Sequence, residues 1–364
     1  MTEDAELVID YDQVAFQAAS ALETKLVQVK HLPSGNVKEF KNKTEFCGRS
    51  KKVVGGWLGD VNSKREQEGK SPFPLEDFEI ESIQKAPDKI AFTFQAAKTK
   101  ALGISEYLKI PKYSGVIGVG KTFRHTLSLP KEYKSENRDV KPIQLDETKD
   151  FLVNFQNGSV VGEIEADDAL EIKAFAGWKN YIKTGKFNYI IASIDKDSLH
   201  TPGLLFNFYK EPRSSEYKQP EIIFIDDSIG DIWIKEVTND KGKVNKDIKG
   251  WGSYWLAYQL LCGDSTDVIR PYQDFDIKFG ELTCYEYIKD SKSQYDLFEK
   301  VRLKYTEWFP DGVKYTSWDG KDIDITSDEW LEMIFKLVYM RRTYNDKTTF
   351  AVMLAHYKKL EEVV

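Results

Sequence analysis

Apolar residues along this chain recur with two periods, and their alternation lays out most of the elements. The run ELVID at residues 6–10 predicts a short buried strand, and VAFQAASALE, after a polar turn at Asp12 and Gln13, has helical spacing. VQVKHLPSGNVKEF predicts a hairpin turning at Ser34 and Gly35. Residues 63–85 are polar and contain proline, which predicts a surface excursion, and IAFTFQAAKTKALG predicts a helix leading to a second apolar strand, YSGVIGVG. The polar, basic stretch FRHTLSLPKEYKSENRDVKP at 123–142 lacks a clear apolar face and reads as a mobile segment.

LDETKDFLVNFQ then predicts a helix, VVGEIEADDALEIKAFAGW a strand running into a helix, and FNYIIASIDKDSLH a buried strand ending in acids. KDIKGWGSYWLAYQLLCGDSTDVIRP predicts a helix followed by an acidic turn, and residues 275–364 are expected to be mostly helical, WLEMIFKLVYMRR being the clearest amphipathic segment. Strands alternating with helices predict an α/β fold with a largely parallel sheet, whose ligands gather at the strand C-termini.

Composition narrows the chemistry. With 364 residues, 41% hydrophobic and 13% aromatic, the chain has material for a substantial core. Cys47, Cys262 and Cys284 are too far apart for a disulfide framework or a thiolate zinc site, and a reducing cytoplasm is the expected location. Neither a membrane span of about twenty apolar residues nor a basic export signal is present, so no membrane partner is expected. His31, His125, His200 and His356 form no close pair, which leaves carboxylates to carry any hydrolytic chemistry. A net charge of −7 argues against a nucleic-acid partner on average, yet Lys25 to Lys52 is strongly basic, an edge-protecting hairpin or a DNA contact.

Four separate segments each deliver acids at the end of an apolar element: Asp10; Glu165, Asp167 and Asp168; Asp195 and Asp197; Asp264 and Asp267. A parallel sheet would bring those ends to one rim. Oxygen-only ligation suits hard cations such as Mg²⁺ or Mn²⁺, and so many acids suggest two ions about 4 Å apart that share a scissile phosphate. Taken singly, EADD is also what a solvated helix N-terminus looks like.

The ordered set VID, IEADD, SIDKD and GDSTD resembles the 5′-nuclease superfamily of phage 5′→3′ exonucleases, the 5′-nuclease domain of bacterial DNA polymerase I and flap endonucleases, from residue 7 to about residue 290. The resemblance implies a PIN-like central, mostly parallel sheet flanked by helices, with a helical C-terminal part containing a degenerate helix-hairpin element. It implies a catalytic domain over 1–262, with a basic hairpin insertion at about 25–85 and a gateway segment at about 121–142, and a DNA-binding region over 263–364. It implies hydrolysis of DNA at a 5′ end or flap with two or more Mg²⁺ or Mn²⁺ ions, by a monomer of the phage replication or recombination type.

By the same resemblance, Asp10, Glu165 and Asp167 would surround a first ion, and Asp168, Asp195, Asp197 and Asp267 a second, with Asp264 close by. KEYKSENR resembles the family's gateway, one residue longer than usual. Lys134 and Arg138, with Lys121 and Arg124 before them, would offset phosphate charge, while Tyr133, Lys131 and Lys141 would contact DNA. DFDIKFGELTCYEYI resembles the helix-hairpin through Gly280, but the second glycine is missing, which weakens the case for the K⁺ bound there in the family. Where the family has an Asp just after the second strand, this chain reads IGVGKTFRH, leaving Asp12 to compensate or Lys121 to hold phosphate. Two other classes share the pattern: a non-catalytic DNA-structure-binding protein, and a PIN-like ribonuclease.

Overall fold

The computed structural model describes residues 4–50, 54–135, 140–208, 221–238 and 242–363. In chain order the elements are β1 (Glu6–Asp10), α1 (Tyr11–Leu22), β2 (Thr24–His31), β3 (Val37–Phe40), α2 (Lys43–Cys47), α3 (Gly56–Gln67), β4 (Phe78–Lys85), α4 (Ala91–Leu108), β5 (Tyr113–Gly118), α5 (Leu145–Phe155), β6 (Gly158–Val161) and α6 (Ala166–Thr184). There follow β7 (Tyr189–Ala192), β8 (Gly203–Phe206), β9 (Ile222–Ile225), β10 (Asp231–Thr238), β11 (Val244–Trp251), α7 (Ser253–Cys262), α8 (Glu281–Ile288), α9 (Gln294–Trp308), β12 (Val313–Thr316), β13 (Asp322–Ile325), α10 (Ser327–Val338) and α11 (Phe350–Val363).

Two compact units result, one of residues 1–14, 100–140 and 151–364, the other of residues 15–99 and 141–150. The first is built on a six-stranded sheet in the order β6-β5-β1-β7-β8-β9. Five of its strands run parallel and β9 pairs antiparallel with β8 at the edge. Leu7, Val8 and Ile9 are wholly buried because β1 is central and covered on both faces, which a parallel sheet requires. From β1 the chain adds β5 and β6 on one side and then crosses to β7 and β8 on the other. The order therefore reverses between β1 and β7, and the crevice at such a switch point opens beyond the strands' C-terminal ends.

A second core in the same unit joins α7 to α8, α9, α10 and α11, with Tyr305, Phe298, Trp330 and Phe335 fully buried. Within it, α10 begins with a capping box in which Thr326 and Glu329 satisfy each other's backbone N–H groups. The other unit is the three-stranded antiparallel sheet β3-β2-β4 covered by α2 and α3, with Phe46 and Leu58 fully buried.

Several local expectations are corrected. Helix α1 starts at Tyr11 with no turn at Asp12 and Gln13, because Asp10 already caps it by accepting the Gln13 N–H at 3.1 Å. Residues 63–85 are no simple excursion: they contain the end of α3 and all of β4, whose alternation is blurred by two half-exposed faces. The hairpins β10–β11 and β12–β13 were hidden by their high polar content. Within 123–142, residues 123–126 form a 3₁₀ turn whose Arg124 is completely buried, and Leu129 and Tyr133 are buried too. No helix is long and apolar enough to cross a membrane among the described residues.

Candidate metal centre

Asp10 ends β1, and the segment after β7 passes beside it. Ser193 donates to Asp10 Oδ2 at 3.3 Å and also accepts the Asp195 N–H at 3.1 Å, so one hydroxyl ties the two strand ends together. Asp195 Oδ1 then accepts the Asp197 N–H at 2.9 Å, which tightens the 3₁₀ turn carrying both acids. Gln259, buried in α7, donates to Asp197 Oδ1. Beyond α7, Gly263 adopts φ +72°, and a Cβ there would lie 2.1 Å from the Ile269 carbonyl oxygen; only glycine permits the turn that presents Asp264. Asp264 Oδ1 accepts the Thr266 N–H at 2.8 Å and its Oδ2 lies 2.9 Å from Lys196 Nζ.

The N-terminus of α6 supplies the other side. Tyr133, almost fully buried, places its hydroxyl 3.0 Å from Asp267 Oδ2 and 3.3 Å from Glu165 Oε2. Lys134 Nζ sits 3.2 Å from Glu165 Oε2 and 3.5 Å from Asp267 Oδ2. Both Lys134 and Val268 hold positive φ, +58° and +60°. For a β-branched valine this is a strained backbone of the kind that clusters at functional sites.

The carboxyls of this group are shifted upward. Burial is the largest cause in each case, and like charge adds to it. Asp10 is pushed up to about 7 by burial, opposed by the Gln13 N–H and assisted by Asp12 and Asp195. Asp197 is pushed up to about 8 by burial with the charges of Asp195 and Asp264. Asp167 is raised well above the carboxylate range by burial and by Asp195 and Asp10, and Asp195 is raised by burial, against its bond from the Asp197 N–H, with Asp267 and Asp264 adding. Asp10, Asp167 and Asp195 are thus near enough to feel one another's charge, and Asp195 feels that of Asp267. Among the described residues no three acid, histidine or cysteine side chains are disposed to hold a metal ion in the present arrangement. The donor set nevertheless fits a hard divalent cation, being all oxygen and bearing charge that its members oppose in one another.

Asp168 behaves differently. Arg124 grips it with two parallel bonds, Nη1 to Oδ2 at 2.6 Å and Nη2 to Oδ1 at 2.9 Å, both side chains being wholly buried. The Arg124 guanidinium beside Asp168 lowers its carboxyl below the usual range in spite of burial. Arg124 also donates to the carbonyl oxygens of Leu337 and Tyr339, at 3.1 Å each. This corrects both expectations for the pair: Arg124 cannot reach a phosphate, and Asp168 has no free oxygen for an ion.

The remaining basic residues are placed as follows. Lys121 is exposed and pairs with Glu132 at 3.1 Å, and Lys131 lies 3.8 Å from Asp274. Lys141 belongs to the other compact unit and pairs with Asp146. Arg138 lies outside the described residues. Tyr133 cannot serve as a stacking platform because its ring is buried, with its edge against His125. Asp12 is spent on holding the end of β5, accepting the Gly118 N–H at 2.8 Å. Gly280 caps α8 with φ −122° and open space where a Cβ would be, so nothing in the backbone demands glycine. Helices α8 and α9 follow one another, joined at 289–293, and each packs on α7.

Sequence reading missed Ser193, Gln259 and Glu171. Gln259 carried a signal, a lone polar residue inside the apolar run WLAYQLL. Glu171, one turn beyond Asp167 on α6, is almost completely buried, and that burial pushes its carboxyl up to about 8.

No protein-family model and no curated protein matches the sequence. Solved structures similar to it include the following two. T5 5′-exonuclease with bound divalent zinc ions shares 16% identity with a TM-score of 0.38, over 69% of this chain and 82% of that one. T5 D15 protein co-crystallised with metal ions shares 11% identity with a TM-score of 0.36, over 68% of this chain and 82% of that one.

Proposed function

We propose that this chain is a divalent-metal-dependent nuclease that hydrolyses DNA phosphodiester bonds at a 5′ end or flap, with residues 1–262 as the catalytic domain and 263–364 as a DNA-binding region. What supports this reading is that one hydroxyl, Ser193, ties Asp10 at the end of β1 to Asp195 beyond β7, on either side of the point where the sheet order reverses, and that like charge from these two raises the carboxyl of Asp167 on α6. Their motifs stand in the order of the 5′-nuclease pattern, which favours DNA with a 5′ end over other phosphodiesters.

Asp10, Asp167, Asp195 and Asp197 are the residues to hold Mg²⁺ or Mn²⁺, with Asp264 and Asp267 at the margin. A bound divalent cation supplies Lewis acidity toward a phosphate oxygen and makes water more acidic. The protein's own groups orient the rest. Ser193 and Gln259 fix the Asp10 and Asp197 carboxylates by hydrogen bonds. Lys134, half-buried and shared between Glu165 and Asp267, is placed to exchange a carboxylate partner for a phosphate oxygen as charge builds on it.

The test is cleavage of a 5′-labelled DNA flap, a nicked duplex and single-stranded RNA with Mg²⁺ or Mn²⁺, beside Asp195→Ala. Metal-dependent DNA cleavage lost at least about 100-fold in the variant is expected. DNA binding without cleavage would make the chain a structure-binding protein, and cleavage of RNA alone would make it a ribonuclease.

A further inference from the structure

The eight acids do not share one electrostatic fate. Glu165, Asp168, Asp264 and Asp267 each have a lysine or arginine nitrogen within ion-pair distance: Arg124 for Glu165 and Asp168, Lys134 for Glu165 and Asp267, and Lys196 for Asp264. Among the described residues none is so placed against Asp10, Asp167, Asp195 or Asp197. Among the described residues the acids thus divide into four held in ion pairs and four that are not.

Arg124 differs from the two lysines because it cannot leave. Its side chain is completely buried, its Nε and Nη2 are held by main-chain carbonyls of Leu337 and Tyr339, and both Nη atoms hold Asp168. An ionised carboxylate offers about four lone-pair sites, two on each oxygen. On Asp168 all four are taken: Oδ1 accepts from Arg124 Nη2 at 2.9 Å and from the Arg341 N–H at 3.0 Å, and Oδ2 from Arg124 Nη1 at 2.6 Å and from the Glu165 N–H at 3.4 Å. Glu165 is similarly engaged, by Thr122 on Oε1 and by Tyr133 and Lys134 on Oε2, with Arg124 Nη1 at 3.6 Å. A guanidinium stays charged at any pH the fold survives, so it is a permanent cation.

We infer that Arg124 takes the place of one divalent ion in this centre, so that the chain binds a single metal ion through Asp10, Asp167, Asp195 and Asp197 rather than the pair its acid count suggests. Arg124 is on this account a positioning residue. It neutralises Asp168, sets the first turn of α6 from which Glu165 and Asp167 project, and anchors that turn to the segment after α10. The inference rests on the metal-dependent reading above and changes its stoichiometry.

The experiment is titration of the metal-free full-length chain with Mn²⁺, followed by calorimetry and electron paramagnetic resonance. One ion per chain with the spectrum of an isolated Mn²⁺ is expected. Two ions per chain, magnetically coupled, would overturn the inference and leave the metal-dependent reading intact; no bound ion would overturn both. The double variant Arg124→Met with Asp168→Asn removes the pair as two neutral side chains of similar size. It is expected still to bind one Mn²⁺, weakened by no more than the about 10- to 100-fold of a lost outer partner because the α6 turn loses its anchor, whereas loss of the ion altogether from a folded variant would show that Asp168 ligates it and overturn the inference. Should the double variant fail to fold, the Mn²⁺ count on the unaltered chain decides alone.

Discussion

The Tyr133 hydroxyl lies 3.0 Å from the Asp267 carboxylate, inside a buried environment in which Glu165 also comes within 3.3 Å of the same oxygen. One phenol hydrogen thus serves two carboxylates, and the ring fills core space beneath them. Tyr133→Phe keeps the packing and removes that donor. The variant is expected to lose about 1–2 kcal/mol, the cost of leaving a buried acceptor short of a partner. Urea denaturation of both proteins measures it, and equal midpoints would show that the hydroxyl contributes nothing.

Stability should depend on pH in a direction set by the raised carboxyls. Asp10 titrates at about 7, and Asp197 and Glu171 at about 8, well above their unfolded values, so the folded chain holds more protons than the unfolded one up to about pH 8. Their contribution is fully present below the unfolded carboxyl range and is lost as pH rises through the folded values. Buried His200 acts oppositely: lowered to about 3 by burial, it gains stability as pH rises, but only up to about 6.5, where the unfolded imidazole has lost its proton. Asp168, lowered by Arg124, matters only in strongly acid solution. Between about pH 6.5 and pH 8 the carboxyls act alone, and the melting temperature of the metal-free protein should fall across that window. Glu171→Gln should flatten the fall, as should saturating Mn²⁺. A melting temperature that rises from pH 6.5 to pH 8 without metal would contradict the assignment, those two values bracketing about the window just derived.

Gln259 matters because α7 buries it against Asp197 in an otherwise apolar helix. Gln259→Leu removes the donor that orients one carboxylate without touching the others. Loss of such an outer partner weakens metal binding about 10- to 100-fold. Mn²⁺ affinity by calorimetry tests this, with the thermal melt of the variant distinguishing lost orientation from lost folding. Unchanged affinity in a folded variant would remove Asp197 from the ligand set.

Much of this acidic group is legible in the sequence. Asp10 was placed by the unbroken apolar run before it, since a strand buried on both faces must end where charge begins. Asp195 and Asp197 follow the same rule after Tyr189–Ala192, and Glu165 and Asp167 follow from the switch between strand and helix periods. The segment 123–135 was opaque because it has neither period. Its Arg124 is buried only because Asp168, Leu337 and Tyr339 converge on it from 44, 213 and 215 residues away. No local pattern reports such a partnership.

The sequence by itself determined the order of the strands' acidic ends and the oxygen-only character of the centre, because hydrophobic period and residue type are local properties that survive any arrangement of neighbours. Only the tertiary structure decided which carboxylates remain available. That choice depends on which of them a buried cation reaches, and desolvation makes a charge so costly that Arg124 must be fully paired where it lies, leaving Asp168 spent while, among the described residues, no lysine or arginine lies within ion-pair distance of Asp10, Asp167, Asp195 or Asp197.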